Sequence, residues 1–280
     1  MEMVKLNNGV EMPMVGYGTY QITEAEQCRQ SVAKAIDVGY RLIDTAQAYG
    51  NEEYVGAGIK KSGVPRQDIF LATKVWFRSY EEEACRASLQ ESMKKLQTDY
   101  LDLVLLHWPF GNTYAAWRVL EEFYLAGKIR AIGVSNYKPS QLIDLIHFNK
   151  VVPAVNQIET NLVCQQREMR EWVDKYQIVH QAYAPLGQGR AKEMFEHPAL
   201  QEIAKAHGKT VYQTALRFLV QDRVAVIPKS VHESRMRENL DVMDFELTEE
   251  EMTMLRGMDE NRPLIGSAQD PAIAAFAMTW

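Results

Sequence analysis

Four residues carry side chains whose combination could move a proton: Asp44, Tyr49, Lys74 and His107. Asp44 ends the apolar run YRLID (40–44), Lys74 ends IFLATK (69–74) and His107 ends YLDLVLLH (100–107), so each polar group terminates a segment of strand length. Tyr49 follows Asp44 within LIDTAQAYGNE, beside Gly50. A phenol with its ordinary pKa of about 10 is a sluggish acid near neutrality, and a cation within about 4–6 Å lowers such a pKa by roughly 1–3 units. Lys74 is the candidate cation. Buried alone it would tend to shed its proton, and the Asp44 carboxylate would keep it charged through a charge-assisted hydrogen bond. His107 would then orient a carbonyl. Taken singly, each has an ordinary structural reading: the Asp as a cap, the Lys as a solvated charge, the His as a satisfied core group. Their mutual chemical fit favours one site.

Such a site needs a scaffold that gathers three strand ends. Eight runs of strand length, MVGYG (14–18), YRLID, IFLATK, YLDLVLLH, IRAIGVS (129–135), AVNQI (154–158), IVHQAY (178–183) and VAVIP (224–228), alternate with amphipathic stretches of helical length. Repeated strand–helix units with short connections require parallel strands and right-handed crossovers. Eight of them favour a closed (β/α)8 TIM barrel over an open doubly wound sheet. Such a barrel takes about 250 residues, and the chain of 280 is read as one domain over 1–280. Barrels place functional groups at the C-terminal ends of strands lying about 4.8 Å apart, which is where Asp44, Lys74 and His107 fall.

Before the barrel, VKLNNGVEM places Asn8-Gly9 between two short runs and predicts a tight hairpin, because both turn positions tolerate positive φ. Thr23 with Glu26, Ser79 with Glu82, and Thr248 with Glu251 each fit a capping box. In the first helical stretch Cys28, Val32, Ala35 and Ile36 share one face and Gly39 is the stop. Between the last two strands, PALQEIAKAHG and TVYQTALRFLV predict two helices rather than one.

Composition narrows the partners. Hydrophobic residues at 46% and charged residues at 24% suit a compact fold. The net charge of -6 argues against nucleic acid or an anionic membrane, while leaving room for a local cationic pocket. Cys28, Cys85 and Cys164 are far apart without CxxC spacing, so neither a disulfide framework nor a zinc site is indicated, and a cytoplasmic location is expected. No leader pattern and no run approaching the roughly 18 apolar residues of a membrane span are visible. The six histidines include no HExxH, so no metal is expected.

At the level of whole motifs the chain resembles the aldo-keto reductases. GYGTY, IDTAQAYGNE, FLATKVW, LDLVLLHWP, IRAIGVSNY, AVNQIE, QAYAPLG and IPKSVHESRMREN each look like a signature block of that family, most like its bacterial diketogluconate and methylglyoxal reductases. The resemblance implies a catalytic tetrad of Asp44, Tyr49, Lys74 and His107, with Tyr49 giving a proton to a carbonyl oxygen while hydride arrives from a reduced nicotinamide. It places Tyr183 under the nicotinamide ring, Ser135, Asn136 and Gln157 on its carboxamide, and the pyrophosphate near Leu186. Lys229, Ser230 and Arg235 would grip a 2′-phosphate, with Glu238 and Asn239 nearer the adenine. Many members have Ser where this chain has Ala184.

No GxGxxG with a later acidic residue marks a Rossmann-type site. The barrel's phosphate site after its last two strands falls instead on PLGQGR and KSVHESR. Arg and Lys together favour NADPH over NADH. On the substrate side the short loop HWPFGNTYAAW, compared with a longer insertion in mammalian relatives, implies an accessible pocket. Tyr20, Trp76, Trp108 and, as readily an ordinary tail residue, Trp280 are the candidate walls. A small carbonyl substrate (an aldehyde, an α-dicarbonyl or a keto-sugar) and a monomeric state are expected. Two rivals are a Schiff-base aldolase using Lys74 and an NADPH-binding regulatory module with slow turnover.

Overall fold

The computed structural model describes residues 2–279, so Trp280 lies outside the described residues. The chain opens with β1 (Met3–Lys5) paired antiparallel to β2 (Glu11–Pro13). Asn8-Gly9 lies in the connection, but only Gly9 takes a positive φ, of 88°. The loop is wider than the tight turn expected: Lys5 pairs with Glu11, and Leu6 N donates to Val10 O at 2.8 Å. Asn8 contributes through its side chain instead, whose Nδ2 donates to Arg130 O at 2.8 Å. Together with Asn7 Nδ2 donating to Pro153 O at 3.0 Å, this ties the hairpin to the N-terminal ends of the barrel strands.

The barrel consists of β3 (Tyr17–Gly18), β4 (Leu42–Asp44), β5 (Phe70–Val75), β6 (Leu101–Leu106), β7 (Ile129–Ser135), β8 (Val155–Glu159), β9 (Val179–Tyr183) and β10 (Ala225–Val226), parallel and neighbouring in chain order. Each lies within or across one of the eight expected runs. A parallel bridge between Val15 and Val226 joins first strand to last, with Gly16 N donating to Val226 O at 2.8 Å. A Cβ on Gly16 would stand 2.3 Å from Leu42 Cδ2, so any larger residue at this seam would force the buried Leu42 side chain to shift. The strands read as continuous apolar runs because both faces are covered, one by the barrel interior and one by helices.

The helices are α1 (Ala25–Val38), α2 (Glu52–Ser62), α3 (Glu82–Lys95), α4 (Thr113–Leu125), α5 (Pro139–Phe148), α6 (Arg167–Lys175), α7 (Lys192–Phe195), α8 (Pro198–Ala206), α9 (Val211–Gln221), α10 (Glu233–Leu240), α11 (Glu249–Arg256) and α12 (Pro271–Ala277). α1 buries Cys28, Val32, Ala35 and Ile36 and stops at Gly39, whose φ is 128°. The two helices expected after β9 are α8 and α9, with the short α7 added before them.

Of the three expected capping boxes only that of α11 forms, Glu251 N donating to Thr248 Oγ1 at 3.2 Å and Thr248 N to Glu251 Oε2 at 2.8 Å. At α1 the cap falls on Glu24, and Glu26 turns instead to Arg29 and Gln30. Ser79 lies in a 3-10 turn, and Glu82 accepts from Arg86 at 3.1 Å. An unforeseen box, Thr210 with Gln213, starts α9 with both bonds at 3.1 Å.

Candidate active site

The stagger of the barrel brings the strand-end groups to one level. Asp44 pairs in register with Ala72 on β5, and Lys74 pairs with Leu105 on β6. Lys74 is therefore two residues beyond the partner of Asp44, and His107 two beyond the partner of Lys74. Residues two apart on a strand share a face, so all three side chains point inward along the shear of the barrel.

The loop after β4 then folds back on itself. Thr45 Oγ1 donates to Asn51 Oδ1 at 2.8 Å, and Asn51 Nδ2 donates to Thr19 O at 2.9 Å. Between them Gln47–Tyr49 form a 3-10 turn that ends at Gly50 in the left-handed region, φ 66°. Gln47 anchors the turn, its Nε2 donating to Ser92 Oγ at 3.0 Å and its Oε1 accepting from Trp76 N at 3.0 Å. Tyr49 is thus held half-buried over Lys74.

Lys74 Nζ donates to Asp44 Oδ1 at 2.5 Å, to Thr45 O at 2.9 Å and to Tyr49 Oη at 3.4 Å, which uses all three ammonium protons. The Tyr49 ring meets that of His107 edge-on, centroids 5.7 Å apart. The sequence reading expected Lys74 to lower the Tyr49 pKa, and the structure reverses that direction. Burial first, and then the Asp44 charge, push the phenol well above its usual value of 10. The Asp44 carboxylate touches Lys74 and offsets its field, while the Lys74–phenol contact is the longest of the three. Burial lowers the Lys74 pKa and Asp44 opposes that shift. Burial, followed by the Lys74 charge, holds His107 well below 6.5, so its imidazole is neutral.

Above these groups lies a cavity of about 540 Å³. Asp44, Tyr49 and His107 line it, and Lys74 sits beneath, fully buried. Tyr20, Trp76 and Trp108 contribute rings to its wall, and Ser135, Asn136, Gln157, Tyr183 and Leu186 contribute from β7, β8, β9 and their loops. Lys229, Ser230, Arg235, Glu238 and Asn239 follow from the segment after β10 and from α10. Among the described residues, every candidate site residue singled out from the sequence is therefore gathered around this cavity.

Several of these groups are already committed to each other. Asn136 Nδ2 donates to His107 O at 3.0 Å and to Ser135 Oγ at 3.2 Å, and its Oδ1 accepts from Tyr183 Oη at 2.9 Å. Ser135 Oγ donates to Gln157 O at 2.8 Å. Ser135 and Asn136 thus knit the rim of β7–β9 and hold the Tyr183 ring. Lys229 and Arg235 differ: both are exposed, and neither forms an ion pair among the described residues. Their neighbour Arg237, by contrast, pairs with Glu233 at 2.7 Å. Unpaired cations facing a cavity, in a chain of net charge -6, suit an anionic ligand.

The sequence reading missed Gln21, Gln188, Tyr212 and Ile265 in the cavity wall. Gln188 had a local signal in its flanking glycines and takes a left-handed φ of 52°. Ile265 had none. The buried Glu159 carboxylate, more than a hundred residues earlier, positions it by accepting from Leu264 N at 2.5 Å, Ile265 N at 3.1 Å and Gly266 N at 3.3 Å.

Comparison with known proteins gives concordant matches. The model of the Aldo/keto reductase family matches residues 14–260. A glyoxal reductase of Bacillus subtilis (strain 168) is 42% identical over 261 residues, spanning 93% of this chain and 94% of the relative. Among solved structures, an aldo-keto reductase from a Medee basin deep-sea metagenome library superposes with a TM-score of 0.93 at 39% identity, over 95% of this chain and 98% of that one. The Bombyx mori aldo-keto reductase in complex with NADP gives a TM-score of 0.90 at 31% identity, over 95% of each chain.

Proposed function

Because the chain belongs to the aldo/keto reductase family, we propose that it reduces small aldehydes, α-dicarbonyls and keto-sugars to alcohols with NADPH, Tyr49 acting as general acid. The observation that carries this reading is the bonded line from Asp44 through Lys74 to Tyr49, opening beside His107 into the cavity that Lys229 and Arg235 face unpaired.

The residues present fit a nicotinamide dinucleotide phosphate. Lys229, Ser230 and Arg235 would hold the 2′-phosphate, Glu238 and Asn239 the adenosine, and the loop at Leu186 the pyrophosphate. Tyr183 offers a ring face and Gln157 a carbonyl acceptor to the nicotinamide end. A guanidinium and an ammonium lining one cavity favour the phosphorylated dinucleotide. The Bombyx mori structure, solved with NADP, supports the same choice.

When bound, the reduced nicotinamide supplies hydride to the carbonyl carbon. The chain's own groups handle the oxygen. A neutral imidazole has one N–H to donate, and His107 in that state orients the carbonyl without adding charge. The raised Tyr49 pKa keeps the phenol protonated at neutral pH, so the proton is present when negative charge develops on the substrate oxygen. An alkoxide is a far stronger base than a phenolate, so the transfer runs downhill. The phenolate that remains is stabilised by the Lys74 ammonium, which Asp44 keeps charged. Tyr20, Trp76 and Trp108 pack the carbon chain and exclude water, in keeping with a small dicarbonyl like that named for the Bacillus relative. We read the working unit as a monomeric, single-domain barrel of the cytoplasm.

The test is NADPH consumption across glyoxal, methylglyoxal, aliphatic aldehydes and keto-sugars, parent against Tyr49→Phe. The variant should lose turnover by on the order of 10²-fold or more while keeping NADPH affinity. A parent inert toward the whole panel, or a variant with normal turnover, removes the reading.

A further inference from the structure

We propose that Tyr212 is a binding residue for the dinucleotide: its ring is the platform on which the adenine packs, a contact made alike with the phosphorylated and the unphosphorylated form. The inference rests on the dinucleotide reading above and adds to it a recognition element outside the 2′-phosphate grip.

Tyr212 stands in the first turn of α9, lines the cavity and is 42% exposed, so the wall offers an open aromatic ring. One side of that ring is already covered. Phe195, at the end of α7, meets it with centroids 4.6 Å apart and the planes inclined at 62°, and Phe195 does not itself line the cavity. With Phe195 behind it, what remains of the Tyr212 ring faces the cavity.

The flanking residues fix where along the cavity this happens. Gln213 Nε2 donates to Asp241 O at 2.8 Å and to Asp241 Oδ2 at 3.1 Å, and Lys209 Nζ donates to Asp241 Oδ2 at 3.0 Å. Asp241 is the residue on which α10 ends, so the start of α9 is tied to the end of α10. Tyr212 therefore enters the cavity beside the last turn of α10, which carries Glu238 and Asn239. Asn239 also lines the cavity; it is only 5% exposed, and its side-chain amide bonds no group among the described residues. A buried amide without partners is costly. An aromatic face next to such an amide suits a flat ring whose edge carries both a donor and an acceptor. Adenine has that edge and pairs with an Asn amide through it; a phosphate and an aliphatic chain do not.

The purine is common to NADP+ and NAD+, so a contact with it cannot tell them apart. Its signature is opposite to that of a residue gripping the 2′-phosphate.

Intrinsic-fluorescence titration with NADP+, NAD+ and adenosine 2′,5′-bisphosphate tests this in the parent, Tyr212→Ala and Tyr212→Phe. Stacking on a base, judged by alanine substitution, is worth roughly five- to hundredfold in affinity. Tyr212→Ala should lose that factor for all three ligands, while Tyr212→Phe, which keeps the ring, should stay within about twofold of the parent. Unchanged affinity in Tyr212→Ala, an equal loss in Tyr212→Phe, a loss confined to NADP+, or a loss for the dinucleotides that spares the bisphosphate overturns the assignment. Should circular dichroism show Tyr212→Ala unfolded, Tyr212→Gln, which keeps a side chain over Phe195 but no ring, is read in its place. A parent that binds none of the three sinks the dinucleotide reading itself, whereas binding that Tyr212→Ala leaves untouched sinks only the role of Tyr212.

Discussion

The Lys74 ammonium stands 2.5 Å from Asp44 Oδ1, with the lysine side chain wholly buried and the aspartate only 2% exposed. Two buried charges in contact stabilise each other, and removing one strands the other in low dielectric. Burial already lowers the Lys74 pKa and Asp44 opposes it. In Asp44→Asn the opposition is lost, so Lys74 gives up its proton at lower pH and the phenolate of Tyr49 loses its cation. We expect kcat to fall by on the order of 10²- to 10³-fold, with the high-pH limb of the remaining activity displaced toward lower pH. A limb that stays in place would show that Asp44 does not govern the lysine.

His107 makes the opposite prediction about pH. Burial and the Lys74 charge hold it well below 6.5, so it stays neutral through the range where an exposed histidine titrates. The pH profile of kcat should show no inflection near 6.5, and the His107 ring resonances in NMR should not titrate there. A His107 titration at 6.5 would contradict the burial seen at the floor of the cavity.

At the proposed phosphate end the residue expected to discriminate is Arg235. It is exposed, free of ion pairs among the described residues and lines the same cavity as Lys229. A charge-assisted hydrogen bond contributes about 1.5–3 kcal/mol, so Arg235→Ala should weaken NADPH binding by roughly 10- to 100-fold while NADH changes about twofold or less. Equal weakening of the two in fluorescence titration would remove the 2′-phosphate assignment.

The ease with which the barrel could be read from sequence has a physical basis. Parallel strands covered on both faces are continuous apolar runs, and a polar residue ending such a run, as Asp44, Lys74 and His107 do, is conspicuous. Capping boxes were less legible, because Glu26 and Glu82 had alternative partners in Gln30 and Arg86 that a four-residue pattern does not see. Ile265 was invisible, since its place depends on a carboxylate from β8. The pKa of Tyr49 differs from the sequence expectation for a related reason: residue types promise a cation, but only the structure reveals that burial of the phenol, and then the Asp44 charge already in contact with Lys74, outweigh it.

The opposite end of the barrel separates stability from chemistry. Asp102 is buried on β6, where its Oδ2 accepts from Arg66 Nη2 at 2.8 Å and from Leu71 N at 2.9 Å, and its Oδ1 accepts from Arg130 Nη1 at 2.6 Å. Asp102→Ala leaves the Leu71 amide buried without a partner and two guanidinium groups without their anion. Both arginines reach solvent, with side-chain exposures of 21% and 44%, so they rehydrate in part and the cost stays at the low end for a broken buried pair. We expect a loss of about 3 kcal/mol in urea unfolding, while kcat and NADPH affinity of the folded variant stay within about twofold of the parent. The two readouts separate because the proposed catalytic groups sit at the C-terminal strand ends, beyond the far side of the core. A fall in kcat without a fall in stability would place Asp102 in the chemistry and refute this division of the barrel.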